Sequence, residues 1–341
     1  MAHVYLTRSD VKLGYSQGQL IVKDDDGDEG DRRLPFCNVD SINVFGNPQL
    51  STQLVRECLS SAVPIGYYSD DGHYLGRAVS PEHADPFRQK KQVMLIDDAG
   101  FCLMWAKMAI EAKLRNSLAL LLSFDDIYRF PDTELEGLRH SLRCLAGATS
   151  IDELMGHEGN AAKCYFGCYA KLFSDTEFSF DGRNSRPPKD PVNALLSYGY
   201  SILHRSIVGA IERHGLHPYF GYLHAIQRGH AALASDLIED YRAFLVDKAV
   251  LSFVRSGVVS PDDFSRADNG AVYMTRALMR SFTDYLSGEI TQRSRFFSAY
   301  GDEFRYGFHA ALDKKLVSVV GAIDAGDPLL YQPFYWEVDD A

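Results

Sequence analysis

The sequence predicts an α+β, multidomain chain in which a β-rich, β-sandwich-like domain over residues 1–92 precedes a larger all-α domain over residues 93–326. Residues 327–341, rich in aromatic and acidic side chains, form a C-terminal tail after both domains. Short alternating runs of apolar and polar residues dominate the first region, whereas apolar residues recur every three or four positions in the second. The length of 341 residues and the hydrophobic fraction of 46% allow two packed cores.

The predicted N-terminal domain consists of short β-rich runs that turns separate. These runs cover residues 4–6, 19–22, 39–45 and 64–68. The sequence Asp70-Asp71-Gly72 stands between the last run and residues 73–79, which predicts a hairpin with an Asp-Gly turn. One helix interrupts the strands, and either Asn47 or Ser51 can cap its N-terminus.

An acidic cluster at residues 24–31 invites comparison with a calcium-binding loop. An EF-hand loop needs carboxylates at its odd positions, glycine at the sixth position and glutamate at the twelfth. No register of the cluster meets these three requirements. The cluster is therefore predicted to be a solvated hairpin tip.

A change of period marks the start of the second domain. Residues 81–86 have proline at both ends, and a basic run at residues 88–92 follows them. From Val93 onward the spacing of apolar residues is helical. Helices are predicted over residues 103–122, 134–146, 151–172, 191–214, 219–226, 230–256, 270–298 and 301–324.

Several classes of protein are disfavoured by composition and by segment length. Apolar runs such as 117–124 are far shorter than the roughly 18 to 20 residues of a membrane span, and no secretory signal is recognisable, so the cytoplasm is the expected compartment. The six cysteines contain no CxxC pair, which argues against a zinc ribbon and a disulfide framework. The net charge of -11 disfavours a uniformly basic surface but is compatible with a local basic groove.

At three places in the helical domain, ionisable residues occur in positions that a simple solvent-exposed helix face does not fully explain. Glu158, near two glycines, either faces a close-packed interior or complements a helix dipole. His224 closes the aromatic-rich run 215–224, where a buried core histidine is the alternative to a ligand. Asp236 and Glu239 are three residues apart and therefore share one helix face.

Two carboxylates on one face repel each other unless a cation neutralises them. A divalent metal would do so, and a histidine with two or three carboxylates and no thiolate suits Mg²⁺ or Mn²⁺. Such a site typically promotes phosphoryl transfer, because the metal polarises the phosphate and stabilises the developing charge. The pattern thus favours metal-assisted chemistry on a phosphodiester.

A basic segment connects two of the predicted helices. Arg183, Arg186 and Lys189 could hold a phosphate backbone, and a basic loop without that role is the alternative. Asp190-Pro191 predicts an N-cap followed by proline at the first helical position.

Three stretches of the helical domain, taken in order, resemble a known family. They are Glu158-Gly159-Asn160-Ala161-Ala162 with Tyr165-Phe166, then residues 186–200, then Gly221-Tyr222-Leu223-His224 followed by Asp236-Leu237-Ile238-Glu239 and Arg242. Their order and spacing resemble the CRISPR-associated adaptation integrase family, the first-numbered of the Cas proteins, and the similarity covers most of the chain. The resemblance implies a metal-dependent DNA integrase and endonuclease. Such an enzyme joins the 3′-hydroxyl ends of a short foreign DNA fragment to a CRISPR repeat by transesterification.

The resemblance also implies roles for individual residues. Glu158, His224 and Glu239 match the catalytic metal ligands, with Mg²⁺ or Mn²⁺ as the ion, and Asp236 matches a further acid that supports or shares the metal. The residues expected to contact DNA or to support the ligands are Tyr165, Arg183, Arg186, Lys189 and Arg242. The chain has Gly229-His230 where the family has Gly-Arg, and Asn116-Ser117 where Asn-Gln is familiar, and neither departure removes a predicted ligand.

The partners implied by the resemblance are nucleic acid and protein. They comprise double-stranded DNA, as foreign fragment and CRISPR repeat, and a second copy of the chain in a homodimer held mainly through the N-terminal β-domains. Two such dimers would be bridged by a dimer of the small second-numbered adaptation protein. No membrane partner is expected.

Two other functions stay open at this point. One is a stand-alone metal-dependent nuclease that hydrolyses branched DNA or RNA, for which the same ligands would serve. The other is a non-catalytic nucleic-acid scaffold in which the carboxylates are structural. Only the integrase joins strands, so the products of the reaction discriminate among the three.

Overall fold

The computed structural model describes residues 2–6, 10–24, 31–69, 74–80, 84–291, 294–298 and 303–336. Contacts divide the chain into two units, Met1–Ala84 and Asp85–Ala341. The boundary precedes the predicted one because the helix Pro86–Met94 packs within the second unit. There Arg88 forms an ion pair of 2.9 Å with Asp324, near the C-terminal end of the unit.

Two four-stranded sheets form the first unit. The strands are β1 (Ala2–Leu6), β2 (Val11–Ser16), β3 (Gln19–Asp24), β4 (Arg32–Pro35), β5 (Val39–Phe45), β6 (Gln49–Leu50), β7 (Ile65–Tyr68) and β8 (Tyr74–Ala78). One sheet has the strand order β1-β5-β7-β8 and the other the order β4-β3-β2-β6. The first is mixed, since β1, β5 and β7 run parallel while β8 is antiparallel to β7.

Side chains from both sheets and from helix α1 (Thr52–Ser60) share one core. Leu13 and Leu20 enter it from one sheet, and Ile42 and Ile65 enter it from the other. All four are almost inaccessible to solvent. This shared core between two sheets confirms the β-sandwich-like prediction.

The local predictions for this unit have different outcomes. Helix α1 is capped by Ser51 rather than Asn47, because Ser51 Oγ accepts the backbone N–H of Leu54 at 3.2 Å. β7 and β8 pair antiparallel as the hairpin prediction requires, but its turn, Asp70-Asp71-Gly72, lies outside the described residues. Most of the acidic cluster, residues 25–30, also lies outside them, between the antiparallel strands β3 and β4.

The second unit is mainly helical, which confirms the predicted fold class. Its helices are α2 (Pro86–Met94), α3 (Ala99–Tyr128), α4 (Asp132–Leu145), α5 (Ile151–Lys171), α6 (Pro191–Arg213), α7 (Ala232–Ile238), α8 (Lys248–Arg255), α9 (Arg276–Thr291) and α10 (Phe308–Ala325). A 3₁₀ turn, Glu239–Tyr241, and a π-helix, Arg242–Asp247, link α7 to α8. The long α3 contacts α4, α5 and both links. None of the described helices has the length and hydropathy needed to cross a bilayer.

The helical unit also contains short strands that the prediction of an all-α domain omitted. In the described residues these are β9 (Phe264–Arg266), β10 (Val272–Met274), β11 (Ser294–Ser298), β12 (Glu303–Tyr306) and β13 (Phe334–Trp336). β9 pairs with β10, and β11 lies between β12 and β13. Several of these strands are rich in aromatic residues, which favour extended backbone, and three of them fall at the ends of predicted helices.

The helix predicted over residues 219–226 is wrong. Tyr222, Leu223 and His224 direct their backbone N–H groups to the Asp236 carboxylate, at 2.6, 3.0 and 2.9 Å, so a helix cannot use them. A Cβ at Gly221 would lie 2.6 Å from Oδ2 of Asp236, so only glycine permits this approach. A contact with a distant carboxylate therefore shapes the segment.

Candidate active site

A cavity of about 170 Å³ in the second unit gathers the predicted ligands. Glu158 reaches it from α5, His224 from the loop between α6 and α7, and Glu239 from the 3₁₀ turn. Lys113 reaches it from α3. The lining is completed by Ile110, Met155, Leu223 and Arg242. The structure thus brings Glu158, His224 and Glu239 to one place.

Lys113 bridges the two glutamates. Its Nζ lies 2.5 Å from Oε1 of Glu158 and 2.8 Å from Oε2 of Glu239. The side chain of Glu158 is 16% exposed and that of Glu239 is 3% exposed, so the ammonium of Lys113 helps to neutralise two carboxylates that have lost most of their contact with water. Glu158 lies beyond the first turn of α5 and lines the cavity, so it is not a first-turn glutamate that complements the helix dipole.

Asp236 holds His224 in a defined orientation. Besides the three backbone N–H groups, its Oδ1 lies 2.9 Å from Nδ1 of the His224 ring. The ring is thereby placed with Nε2 at 3.8 Å from Oε1 of Glu239. Since both oxygens of the buried Asp236 are engaged, its position suits support of a ligand better than direct sharing of a metal.

Charge shifts the pKa values of the site in opposite directions. Burial by itself opposes ionisation of Glu239, but Arg242, Lys113 and His224 outweigh it and lower the pKa of that carboxyl to about 2. Burial likewise disfavours a charged His224. Its hydrogen bond with Asp236 and the negative charges of Asp236 and Glu239 nevertheless raise the pKa of the imidazole above 6.5. Glu239 is therefore ionised at neutral pH.

A layer of buried polar residues supports the cavity from behind. The Tyr165 hydroxyl donates to Oδ2 of Asp247 at 2.6 Å, and the Tyr200 hydroxyl donates to the other oxygen. The Arg242 guanidinium lies 4.7 Å from the centre of the Tyr200 ring and 3.6 Å from Oε1 of Glu239. Of the roles expected for Tyr165, support of the site fits its burial and DNA contact does not.

The buried Asp247 predicts a measurable pH dependence of stability. Burial raises the pKa of this carboxyl from 3.8 to about 6, although its hydrogen bonds with the Tyr165 and Tyr200 hydroxyls and the charges of Arg242 and Arg183 oppose the rise. A carboxyl with a raised pKa binds its proton more tightly in the folded state, so its contribution to stability declines as the pH rises from about 4 to 6. The shift in the pKa of Asp247 corresponds to a contribution of about 3 kcal/mol to the free energy of unfolding.

We expect Asp247→Asn to remove this decline. Urea unfolding between about pH 4 and pH 7 would compare the two proteins. The wild-type free energy of unfolding should fall relative to that of the variant by about 2 to 3 kcal/mol over this range. Equal pH dependence in the two proteins would contradict the assignment.

The basic segment lies beside the site, with its three cations in different roles. Arg183 donates to Asn193 Oδ1 at 2.7 Å and to Ser197 Oγ at 3.0 Å, so it ties the segment to α6. Arg186 and Lys189 are exposed. Because they are exposed, Arg186 and Lys189 are the two cations of the segment that a phosphate could reach. Arg186 also lies near His230: burial lowers the pKa of His230, and the charges of His224 and Arg186 lower it further.

A buried polar cluster fixes the C-terminal segment next to Glu239. Lys315 pairs with Oδ2 of Asp240 at 2.5 Å, and both side chains are inaccessible. The same oxygen accepts the backbone N–H of Phe334 at 3.0 Å. Asn116 donates to the carbonyl of Asp240 at 2.6 Å and accepts the N–H of Trp336 at 2.8 Å. Part of the predicted tail is thus integral to the helical unit.

Sequence reasoning missed four residues of the site and its support. These are Lys113, Asp240, Asp247 and Lys315. The sequence does indicate that the two lysines are unusual. Each occupies a position on the apolar face of its helix, where a surface cation is not expected. Nothing in the local sequence separates Asp240 and Asp247 from surface carboxylates.

Comparisons with known proteins identify the family of the chain. The sequence model of the family described as CRISPR associated protein Cas1 matches residues 4–287. The chain belongs to the Cas1 family. The CRISPR-associated endonuclease Cas1 of Mycobacterium tuberculosis (strain CDC 1551 / Oshkosh) is 38% identical over 329 residues, which are 96% of each chain. The family that the sequence motifs resemble is thereby confirmed.

Solved structures share the fold of this Cas1-family chain. A Cas6-RT-Cas1–Cas2 complex matches 97% of the chain with a TM-score of 0.79 and 23% identity, and the match spans 36% of that longer chain. A casposase bound to an integration product matches 96% of the chain and 91% of its own length, with a TM-score of 0.78 and 24% identity. The chain therefore shares its fold with these solved structures over nearly its whole length.

The donor set of this Cas1-family site fits a divalent cation. Two carboxylates and an imidazole are hard to borderline donors, which suit Mg²⁺ or Mn²⁺. The Lys113 ammonium already stands between the two carboxylates, so a cation is stable at that position. Within the described ranges, no group of three His, Cys, Asp or Glu side chains is arranged to hold a metal ion as the side chains now stand.

Proposed function

We propose that the protein is a metal-dependent DNA integrase and endonuclease of CRISPR adaptation, which inserts short foreign DNA fragments into a CRISPR array. The observation that carries the proposal is that Glu158, Glu239 and His224 line one cavity, in which both glutamates contact the ammonium of Lys113. Cutting of DNA is supported by the relatives that are named endonuclease. Joining of DNA is supported by the similar fold of a casposase bound to an integration product.

In the proposed reaction a 3′-oxygen of the fragment attacks a phosphorus of the CRISPR repeat. One phosphodiester bond forms and one breaks, and the leaving 3′-oxygen regains the proton that the attacking hydroxyl loses. Glu158, His224 and Glu239 would hold Mg²⁺ or Mn²⁺, which when bound polarises the phosphate and stabilises developing charge. Asp236 keeps the His224 ring in place, and Arg242 offers the phosphate a guanidinium.

Product analysis tests this proposal against hydrolysis, for which the same ligands would serve. Labelled duplex with free 3′-hydroxyl ends would be incubated with a plasmid that carries a CRISPR repeat. The integrase transfers label to the plasmid, whereas a stand-alone nuclease yields only shorter strands. Neither product, from folded protein with metal and its partner present, would favour the non-catalytic scaffold.

The exposed part of the basic segment predicts the salt dependence of DNA binding. We expect the double variant Arg186→Ala/Lys189→Ala to bind duplex DNA more weakly and to reduce the slope of log affinity against log salt by about 2. Fluorescence anisotropy over a range of salt concentrations would measure both effects. The matched control is Arg115→Ala/Arg143→Ala, which removes two exposed cations paired with Glu111 and Glu136. An unchanged slope in the first variant would contradict the interface.

We also propose that the protein forms a homodimer through its N-terminal unit and acts with the second-numbered adaptation protein. The solved Cas6-RT-Cas1–Cas2 complex, which combines Cas1 with Cas2, supports the second partner. Light scattering over a wide concentration range should give the mass of a dimer. A monomer at every concentration would contradict the homodimer.

A further inference from the structure

Lys113 is a largely buried cation between two candidate metal ligands. Its side chain is 17% exposed, and its ammonium contacts Glu158 and Glu239 at 2.5 and 2.8 Å. It comes from α3, whereas the carboxylates come from α5 and the 3₁₀ turn. At the cavity, the ammonium therefore links α3 to carboxylates from two other elements.

Charge explains why a cation stands there. Two carboxylates held together away from water repel each other strongly, and a nearby positive charge relieves the repulsion. Arg242 supplies part of this charge, at 3.6 Å from Glu239. Only Lys113 is described in contact with both carboxylates, so it is the side chain that allows them to lie close together without a metal.

The position of the ammonium is also the position that a shared metal ion would need. An ammonium and a divalent ion cannot both lie between the same carboxylates, because their charges repel. Lysine suits a displaceable counter-ion, since its charge sits at the end of a flexible stem, whereas the guanidinium of arginine is held in a rigid fork. The cavity of about 170 Å³ beside it leaves space for the stem to move.

We propose that Lys113 is the resident counter-ion of the candidate metal site, and that a divalent ion binds by displacing the ammonium from Glu158, Glu239 or both. The inference rests on the proposed function, since it assumes that these residues are metal ligands. It assigns Lys113 a positioning role in the metal-free protein and a competing role during metal binding. Metal affinity is therefore set partly by a residue outside the ligand set.

Calorimetric titration of the full chain with Mn²⁺ tests the inference. We expect Lys113→Met to bind Mn²⁺ at least about tenfold more tightly than the wild type, because the competing charge is gone. The control is Lys107→Met on the same helix, since Lys107 donates to the Ala146 carbonyl at 2.9 Å and does not line the cavity. Equal or weaker binding by Lys113→Met would overturn the inference while leaving the proposed metal site intact if the wild type binds Mn²⁺.

A measurement on the wild type removes the dependence on a variant that folds. Amine acetylation followed by mass spectrometry would compare Lys113 with Lys107, with and without Mn²⁺. We expect Mn²⁺ to raise the labelling of Lys113 several-fold and to leave Lys107 unchanged. Unchanged labelling of Lys113 with bound Mn²⁺ would overturn the inference. Absence of Mn²⁺ binding by both the wild type and Lys113→Met would overturn the proposed metal dependence together with it.

Discussion

Replacing Glu158 with glutamine is expected to reduce strand joining by at least about a hundredfold. Glutamine keeps the size of the side chain but removes the negative charge that the proposed metal and Lys113 both need. DNA affinity should change little, because in the proposed interface the exposed cations of the basic segment, rather than Glu158, contact phosphate. Joining of labelled duplex to a repeat-bearing plasmid and anisotropy with the same duplex would measure the two effects separately.

The matched control for this variant is Asp152→Asn, which removes an exposed carboxylate from the first turn of the same helix. It should join strands at the wild-type rate. Undiminished joining by Glu158→Gln would exclude this glutamate from the chemistry. Loss of the folded circular dichroism spectrum together with joining would instead make the residue structural.

Removing the ammonium of Lys315 is expected to cause the largest loss of stability. Lys315→Met leaves the inaccessible Asp240 carboxylate without its cation, and breaking a buried ion pair from one side costs about 3 to 5 kcal/mol. The loss reaches the active site, because Asp240 follows Glu239 directly and also holds the N–H of Phe334. Urea unfolding at neutral pH would measure it.

Two further variants separate the buried charge from other effects of the substitution. Lys315→Met/Asp240→Asn removes both charges and should recover part of the loss, since no unpaired ion remains. Lys314→Met, at the neighbouring and less buried position of α10, should cost less than about 1 kcal/mol. If Lys315→Met itself lost less than about 1 kcal/mol of unfolding free energy, the buried ion pair would be contradicted.

Local patterns predict a large part of the fold. The helical period anticipates α3 to α6, and two caps appear where short polar side chains precede a helix. Ser51 caps α1, and Asp190 accepts the N–H of Asn193 at 2.8 Å with Pro191 at the first helical position. These features depend on interactions within a few residues, which a single sequence contains.

Contacts between distant residues account for what the sequence did not predict. Residues 219–226 lose their helix to the Asp236 carboxylate, and Lys113 meets Glu158 across 45 residues of sequence. For Glu158 and His224 the sequence also allowed a purely structural role, because a local sequence does not define which way a side chain faces. The resemblance of the ordered motifs predicts Glu158, His224 and Glu239 as ligands, and the structure places all three on one cavity, but no motif points to Lys113 beside them.

In the proposed mechanism, Glu158, His224 and Glu239 hold a divalent ion that strand joining requires. The most direct test is strand joining by metal-stripped protein during a titration with Mn²⁺, in parallel with Mn²⁺ binding measured by calorimetry. We expect no joining before Mn²⁺ is added and then a rise in joining that follows the occupancy of one Mn²⁺ site. Both the joining and the Mn²⁺ binding should be lost in Glu158→Gln. Full joining in the presence of a chelator, or joining that rises without Mn²⁺ binding at this site, would contradict it.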